Sequence, residues 1–194
     1  MEKQIKRGIV IVTCEATKDF VLDCVRSCVN SRYPILLVSN DNFDPRPALG
    51  LSGAANVLIT DWNGFELAGI EKGMEFFDEF ILLHDTVVVK DQKLFDLCFD
   101  FDGSVGLTKD LAYSYCGKFR TKILEQMALP RVYNYQEAVD QERPFGINYL
   151  KLEDKYMEIE PLGAGDHSIP IIEMHGRKGI LLENSFLRKH KSHY

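Results

Sequence analysis

The sequence predicts an α/β fold: a single domain with a doubly wound, mostly parallel sheet flanked by helices. Two observations carry this. Short apolar runs alternate with amphipathic stretches of helix length through the first half of the chain, and strand–helix–strand order implies parallel pairing with right-handed crossovers. The chain also has 194 residues, 45% hydrophobic and 27% charged, which is enough apolar material for a core and excludes a disordered or fibrous chain.

The elements follow in order. GIVIVT (8–13) is a β-branched run, as a strand covered on both faces should be. Residues 19–30 place Phe20, Val21, Cys24, Val25 and Cys28 at helical spacing. ILLV (35–38) and NVLIT (56–60) read as the second and third strands, and 62–77 as a helix. EFILL (79–83) reads as a fourth strand that stops at His84-Asp85-Thr86, with the apolar run VVV directly after it. A short helix over 92–99 and a strand over 104–107 complete the first half. In the second half, 118–128 and 136–150 read as helices, the latter with Pro144 and Gly146 as breakpoints. Residues 161–170 read as a loop and 184–190 as a terminal helix.

Charge and cysteine content narrow the function. The formal net charge is −6, which disfavours a general nucleic-acid binder because phosphate contacts need a cationic face. The charge is uneven: residues 171–194 hold five cations against two anions, a net +3, leaving −9 on the first 170. A basic tail on an acidic body suits a specific anionic ligand. Five cysteines without a CxxC pair suit a reduced, cytoplasmic setting. The charged start MEKQIKRG is followed by too short an apolar run for a signal peptide, and no stretch approaches a membrane span. There is no GxxxxGK[ST], GxGxxG, GxSxG or HExxH, which argues against P-loop, dinucleotide, α/β-hydrolase and zincin chemistry.

In an open α/β sheet, ligands sit at the carboxyl ends of the strands. The polar residues there are Thr13, Glu15, Asn40, Asp41, Asp61, His84, Asp85 and Thr86. A carboxylate at the end of a central strand suits a hard cation with diphosphate oxygens. The competing reading is that Asp85 starts a turn or caps a bulge.

Several stretches together resemble nucleotide-sugar glycosyltransferases of the GT-A fold, most like the family-2 type. IVIVTCEATKDF resembles the first strand and nucleotide turn, and VSNDNFDP the second strand ending in an acid. NGFELAGIEKGMEFFDEFILLHDTVVVKDQKLF resembles the helix, strand and DXD region. YCGKFRTKIL resembles the segment facing the donor, and HGRKGILLENSFLRKHKSHY a closing tail. The pattern departs at the DXD itself, which reads His84-Asp85-Thr86.

The resemblance implies a hexosyltransferase that inverts, with 1–110 as the nucleotide-sugar-binding half and 111–194 as the acceptor half with its basic tail. Its partners would be a nucleoside-diphosphate sugar donor and a carbohydrate or glycoconjugate acceptor, with no nucleic acid. Thr13, Glu15, Asp41, Asp61 and Asn63 would meet the nucleotide or sugar, although Asp41 also suits plain turn chemistry and Asp61 a helix cap. Mn²⁺ or Mg²⁺ would sit on Asp85 and His84, with a late histidine such as His193, His190 or His167. Arg177 and Lys191, with Arg188 and Lys189, would neutralise the diphosphate. The acceptor's base would be Glu137, Asp140 or Glu142, and Tyr113, Tyr115, Tyr133 or Tyr135 would stack on sugars. Two other readings stay open: a nucleotide-sugar-binding module without turnover, and a sugar-phosphate nucleotidyltransferase. The latter wants a Gly-rich, Arg-containing loop where CEATKD stands.

Overall fold

The structure is a computed structural model that describes residues 5–50, 55–107, 111, 115–159, 171–175 and 177–192. Among the described residues, seven strands form the main sheet in the order β3-β2-β1-β4-β7-β6-β8. They are β1 (Arg7–Thr13), β2 (Ile35–Ser39), β3 (Asn56–Ile59), β4 (Glu79–His84), β6 (Ser104–Gly106), β7 (Gly117–Arg120) and β8 (Tyr156–Glu158). The sheet is mixed but mostly parallel: β7 runs antiparallel to both β4 and β6, and the other pairs are parallel.

Alternation along the strands divides the core. Ile9, Ile11, Ile81 and Leu83 face α1 (Lys18–Cys28) and α4 (Lys93–Asp100), whereas Val10, Val12, Phe80 and Leu82 face α3 (Glu66–Phe76), α5 (Thr121–Leu124) and α6 (Tyr135–Leu152). A short α2 (Arg46–Leu49) links β2 to β3. α3 lies so close to the sheet that a Cβ at Gly69 would stand 2.3 Å from Val12 Cγ2 and 2.9 Å from Leu82 Cδ1. Gly69→Ala is therefore expected to cost about 1–3 kcal/mol by overpacking, read as a lowered denaturation midpoint.

A second sheet is antiparallel, in the order β5-β11-β10-β9: β5 (Val87–Val89), β9 (Ile171–Met174), β10 (Arg177–Glu183) and β11 (Leu187–Ser192). This corrects the expected terminal helix over 184–190. Asn184 Oδ1 instead accepts from the backbone of Phe186 at 2.8 Å and Leu187 at 2.7 Å, turning the chain into a hairpin.

Two further expectations change. The helix expected from 118 begins as strand β7, whose Lys118 and Arg120 are buried. Lys118 Nζ donates to the Phe101 carbonyl at 2.8 Å and lies 3.4 Å from Glu79. Arg120 Nη1 donates to Glu153 Oε1 at 2.8 Å. α6 continues unbroken through Pro144, which is exposed, so the carbonyl that its missing N–H leaves free can meet water.

Candidate functional site

The carboxyl ends of β1, β2 and β4 lie side by side, with Thr13 paired to Ser39 and Val12 to His84. Asn40 closes this edge. Its backbone donates to the Thr13 carbonyl at 3.0 Å, and its Nδ2 reaches the carbonyls of Thr13 at 3.3 Å and Phe65 at 3.4 Å.

Asp85 is 4% exposed and reaches the α1 side of the sheet. Its Oδ2 accepts from Thr13 Oγ1 at 2.7 Å and from Thr17 Oγ1. Burial pushes its carboxyl up to about 7, against the pull of the two hydroxyls, and the charge of Glu66 adds to the rise. The side chain also borders a cleft between α1 and the second sheet, with Phe20, Asp23, Thr86, Arg188 and His190.

His84 points to the other side. Its Nδ1 lies 3.2 Å from Oε1 of Glu66, the first residue of α3, and the two side chains are 20% and 24% exposed. Burial, then the charge of Lys189, holds the imidazole well below its usual range, so it is neutral at pH 7. A neutral ring that donates through Nδ1 to a carboxylate presents Nε2 as an acceptor, and Nε2 is buried without a partner. Glu66 is itself raised by burial, which its own backbone N–H and Lys189 oppose. The residue before it, Phe65, has φ 49°, a strained conformation for a bulky side chain that Asn40 helps hold in place.

β7 extends this side. Leu82 pairs with Gly117, so the register carries Tyr115 to His84. Tyr115 is 2% exposed and its hydroxyl has no partner. Burial raises its pKa, and the charges of Glu66 and Glu142 add to that. Asn40 Oδ1 and Asn63 Oδ1 are likewise buried without a partner. Native proteins rarely leave such atoms unpaired, and each is a place for a ligand or water.

The basic tail returns to this edge. β11 pairs with β5, setting Lys189 opposite Val87, while the His190 backbone donates to the Thr86 carbonyl at 3.1 Å. Arg188 is held by Glu183 at 3.2 Å, Arg177 is half-buried near His190, and Lys191 is exposed.

The sequence-derived candidates divide. Thr13, Asn63, His84 and Asp85 stand at this edge. Glu15, Asp41 and Asp61 are exposed in the turns after β1, β2 and β3, and Asp41 takes φ 57°. Of the base candidates, Glu137 is engaged at the start of α6: its Oε2 accepts from the Tyr133 backbone at 2.8 Å, and its own N–H caps onto Asn134 at 2.9 Å. Asp140 accepts from Gln136 at 2.8 Å on the exposed face. Glu142 is half-buried on α6, and its charge acts on Tyr115. Tyr133 and Tyr135 are exposed, Tyr135 meeting the Phe65 ring at 6.0 Å. His193, His167 and Tyr113 lie outside the described residues.

Sequence reasoning missed Glu66. The run Asn63-Gly-Phe-Glu66 reads as an ordinary helix-start signature, and only the structure sets that carboxylate against His84.

These donors do not converge on a divalent ion. Asp85 already takes two hydroxyls on Oδ2 and is buried on the α1 side, whereas the open nitrogen of His84 faces the α3 side. Among the described residues, no three His, Cys, Asp or Glu side chains converge as ligands. The described donors do not fit a preformed Mn²⁺ or Mg²⁺ site.

No protein family and no curated protein matches the sequence. Solved structures do match the fold. TarS of S. aureus superposes with a TM-score of 0.59 and 8% identity, over 80% of this chain and 35% of TarS. The chain has a GT-A-like fold. A protein from Desulfovibrio desulfuricans G20, assigned as a nucleotide-diphospho-sugar transferase, superposes with a TM-score of 0.50 and 10% identity, over 80% of each chain. The present chain thus spans about a third of TarS. Among the described residues, no helix is long and apolar enough to cross a membrane.

Proposed function

We propose that the chain is a glycosyltransferase, moving a hexose from a nucleoside-diphosphate sugar to a carbohydrate or glycoconjugate acceptor. One observation carries this reading. Four buried polar atoms without partners, Asn40 Oδ1, Asn63 Oδ1, His84 Nε2 and Tyr115 hydroxyl, belong to the strand-end edge where an open α/β sheet takes ligands. These are groups that bind hydroxyls and amides, as a nucleotide sugar requires.

The nucleoside lies against the turns that carry Glu15, Asp41 and Asp61, with Thr13 and Asn63 at the floor. His84 Nε2 accepts a ribose or sugar hydroxyl. The diphosphate lies toward the tail, within reach of Lys189, with Arg177 and Lys191 further out. As the acceptor oxygen attacks the anomeric carbon, its proton passes to Glu142. The bond from that carbon to the diphosphate oxygen breaks, and its electron pair leaves on the nucleoside diphosphate. Attack opposite the leaving group inverts the configuration. Glu142 carries this role rather than Glu137 or Asp140, the other carboxylates of the same helix, because those two are exposed whereas Glu142 is half-buried with its charge acting on Tyr115. A divalent ion on Asp85, His84 and His193 would supply charge to the diphosphate, but the described donors do not fit one.

The test is an assay of UDP-, GDP- and dTDP-sugars for transfer or hydrolysis. Turnover with one nucleotide class is expected, and Glu142→Gln should lower kcat by about 10²-fold or more while donor affinity holds. Donor binding without any turnover would favour the binding-module reading instead. An unchanged kcat in Glu142→Gln, with a fall in Glu137→Gln or Asp140→Gln, would move the base along α6.

A further inference from the structure

A sugar diphosphate needs positive charge beside it, because the leaving group departs as an anion. In this chain the charge has two possible sources: a divalent ion on the strand-end carboxylate, or a side-chain cation.

The geometry speaks against the first. Asp85 is 4% exposed, and its Oδ2 is shared between the hydroxyls of Thr13 and Thr17. Those bonds tie the end of β1 and the turn before α1 to the end of β4. That is the role of a strut, and it leaves the carboxylate turned toward α1 rather than toward the open nitrogen of His84.

The geometry favours the second. β11 carries Lys189 to the end of β4, pairing it with Val87. Its charge acts on both His84 and Glu66. Lys189 is half-buried as a residue, and among the described residues no hydrogen bond or ion pair holds its ammonium. Its neighbour Arg188, by contrast, is paired to Glu183. A cation that no hydrogen bond or ion pair holds, whose charge acts on a buried imidazole with an unpartnered nitrogen, marks a place for an anion.

We propose that Lys189 takes the charge of the ligand's diphosphate, and that this chain binds its nucleotide without a divalent ion. The inference rests on the donor reading above and goes beyond it, since the incomplete DXD then reflects a site whose cation is a side chain.

The experiment is calorimetric titration of the full chain with UDP, GDP and dTDP, once in EDTA and once in Mn²⁺. One nucleotide should bind in EDTA with an affinity within about threefold of its value in Mn²⁺. Lys189→Ala should weaken that binding by about tenfold or more, as loss of a charge-assisted contact does. Lys189→Arg, which keeps the charge, should recover most of it, and unfolding midpoints of both variants check that the chain still folds. Binding that appears only with Mn²⁺, or that is unchanged in Lys189→Ala, overturns this inference and leaves the donor reading standing. No binding to any of the three in either condition overturns both.

Discussion

Replacing Glu153 by alanine is expected to destabilise the chain by about 3–5 kcal/mol, because it strands a buried guanidinium. Arg120 and Glu153 are 6% and 8% exposed and joined at 2.8 Å. Around them runs a chain of bonds. The Arg120 backbone donates to the Tyr149 hydroxyl at 2.9 Å, that hydroxyl lies 2.6 Å from Ser104 Oγ, and Ser104 donates to Glu153 Oε2 at 2.5 Å. The network pins α6 to β6 and β7, and so fixes the helix that carries Glu142. After the substitution the carboxylates that remain near Arg120 among the described residues are Asp102 and Asp154, at 3.7 and 3.8 Å and mostly exposed. Removing both charges in Arg120→Met with Glu153→Leu is expected to recover much of the loss, since no uncompensated ion is then buried. Urea denaturation measures both. A loss below about 1 kcal/mol for Glu153→Ala would mean that the pair is solvated.

Asp85→Asn is expected to stabilise the protein at alkaline pH. The carboxyl titrates near 7 in the fold, against 3.8 in the unfolded chain. Between those values the folded state binds the extra proton, so this group's contribution is full below pH 3.8 and is lost as pH rises through 7. The penalty above that point is on the order of 4 kcal/mol, from a shift between 3.8 and about 7. An amide keeps an oxygen for Thr13 and Thr17 and has no charge to desolvate. The variant should therefore match the parent near pH 4 and exceed it near pH 8.5 in thermal or urea unfolding. A less stable variant at pH 8.5 would mean that the native carboxylate is ionised and favourably held.

The parallel half of the fold was legible because its strands are uniform. GIVIVT, ILLV and EFILL are apolar on both faces, and only a sheet covered by two layers of helix buries such runs. The strands that escaped notice carry charge. β7 reads GKFR, and Lys118 and Arg120 look like a solvated face until Glu79 and Glu153, distant in sequence, are brought against them. β11 reads LRKHKS, with a single apolar residue buried, Leu187. It is held by backbone pairing on both sides, which no side-chain pattern announces. The site was legible in the same uneven way. Strand ends pointed to Thr13, His84 and Asp85, because topology alone puts them there. That His84 and Asp85 serve opposite sides of the sheet, and that Glu66 and Lys189 flank the former, depends on packing between elements far apart in the chain.

In the proposed reading an activated sugar lies across the carboxyl ends of β1, β2 and β4 beneath the returning tail. The decisive measurement is hydrogen exchange of the full chain, alone and with saturating UDP-, GDP- or dTDP-sugar. One donor is expected to slow exchange together at 13–17, 40–43, 61–66, 84–86 and 187–190. Protection confined to the opposite end of the sheet, or no change with any donor, would contradict it.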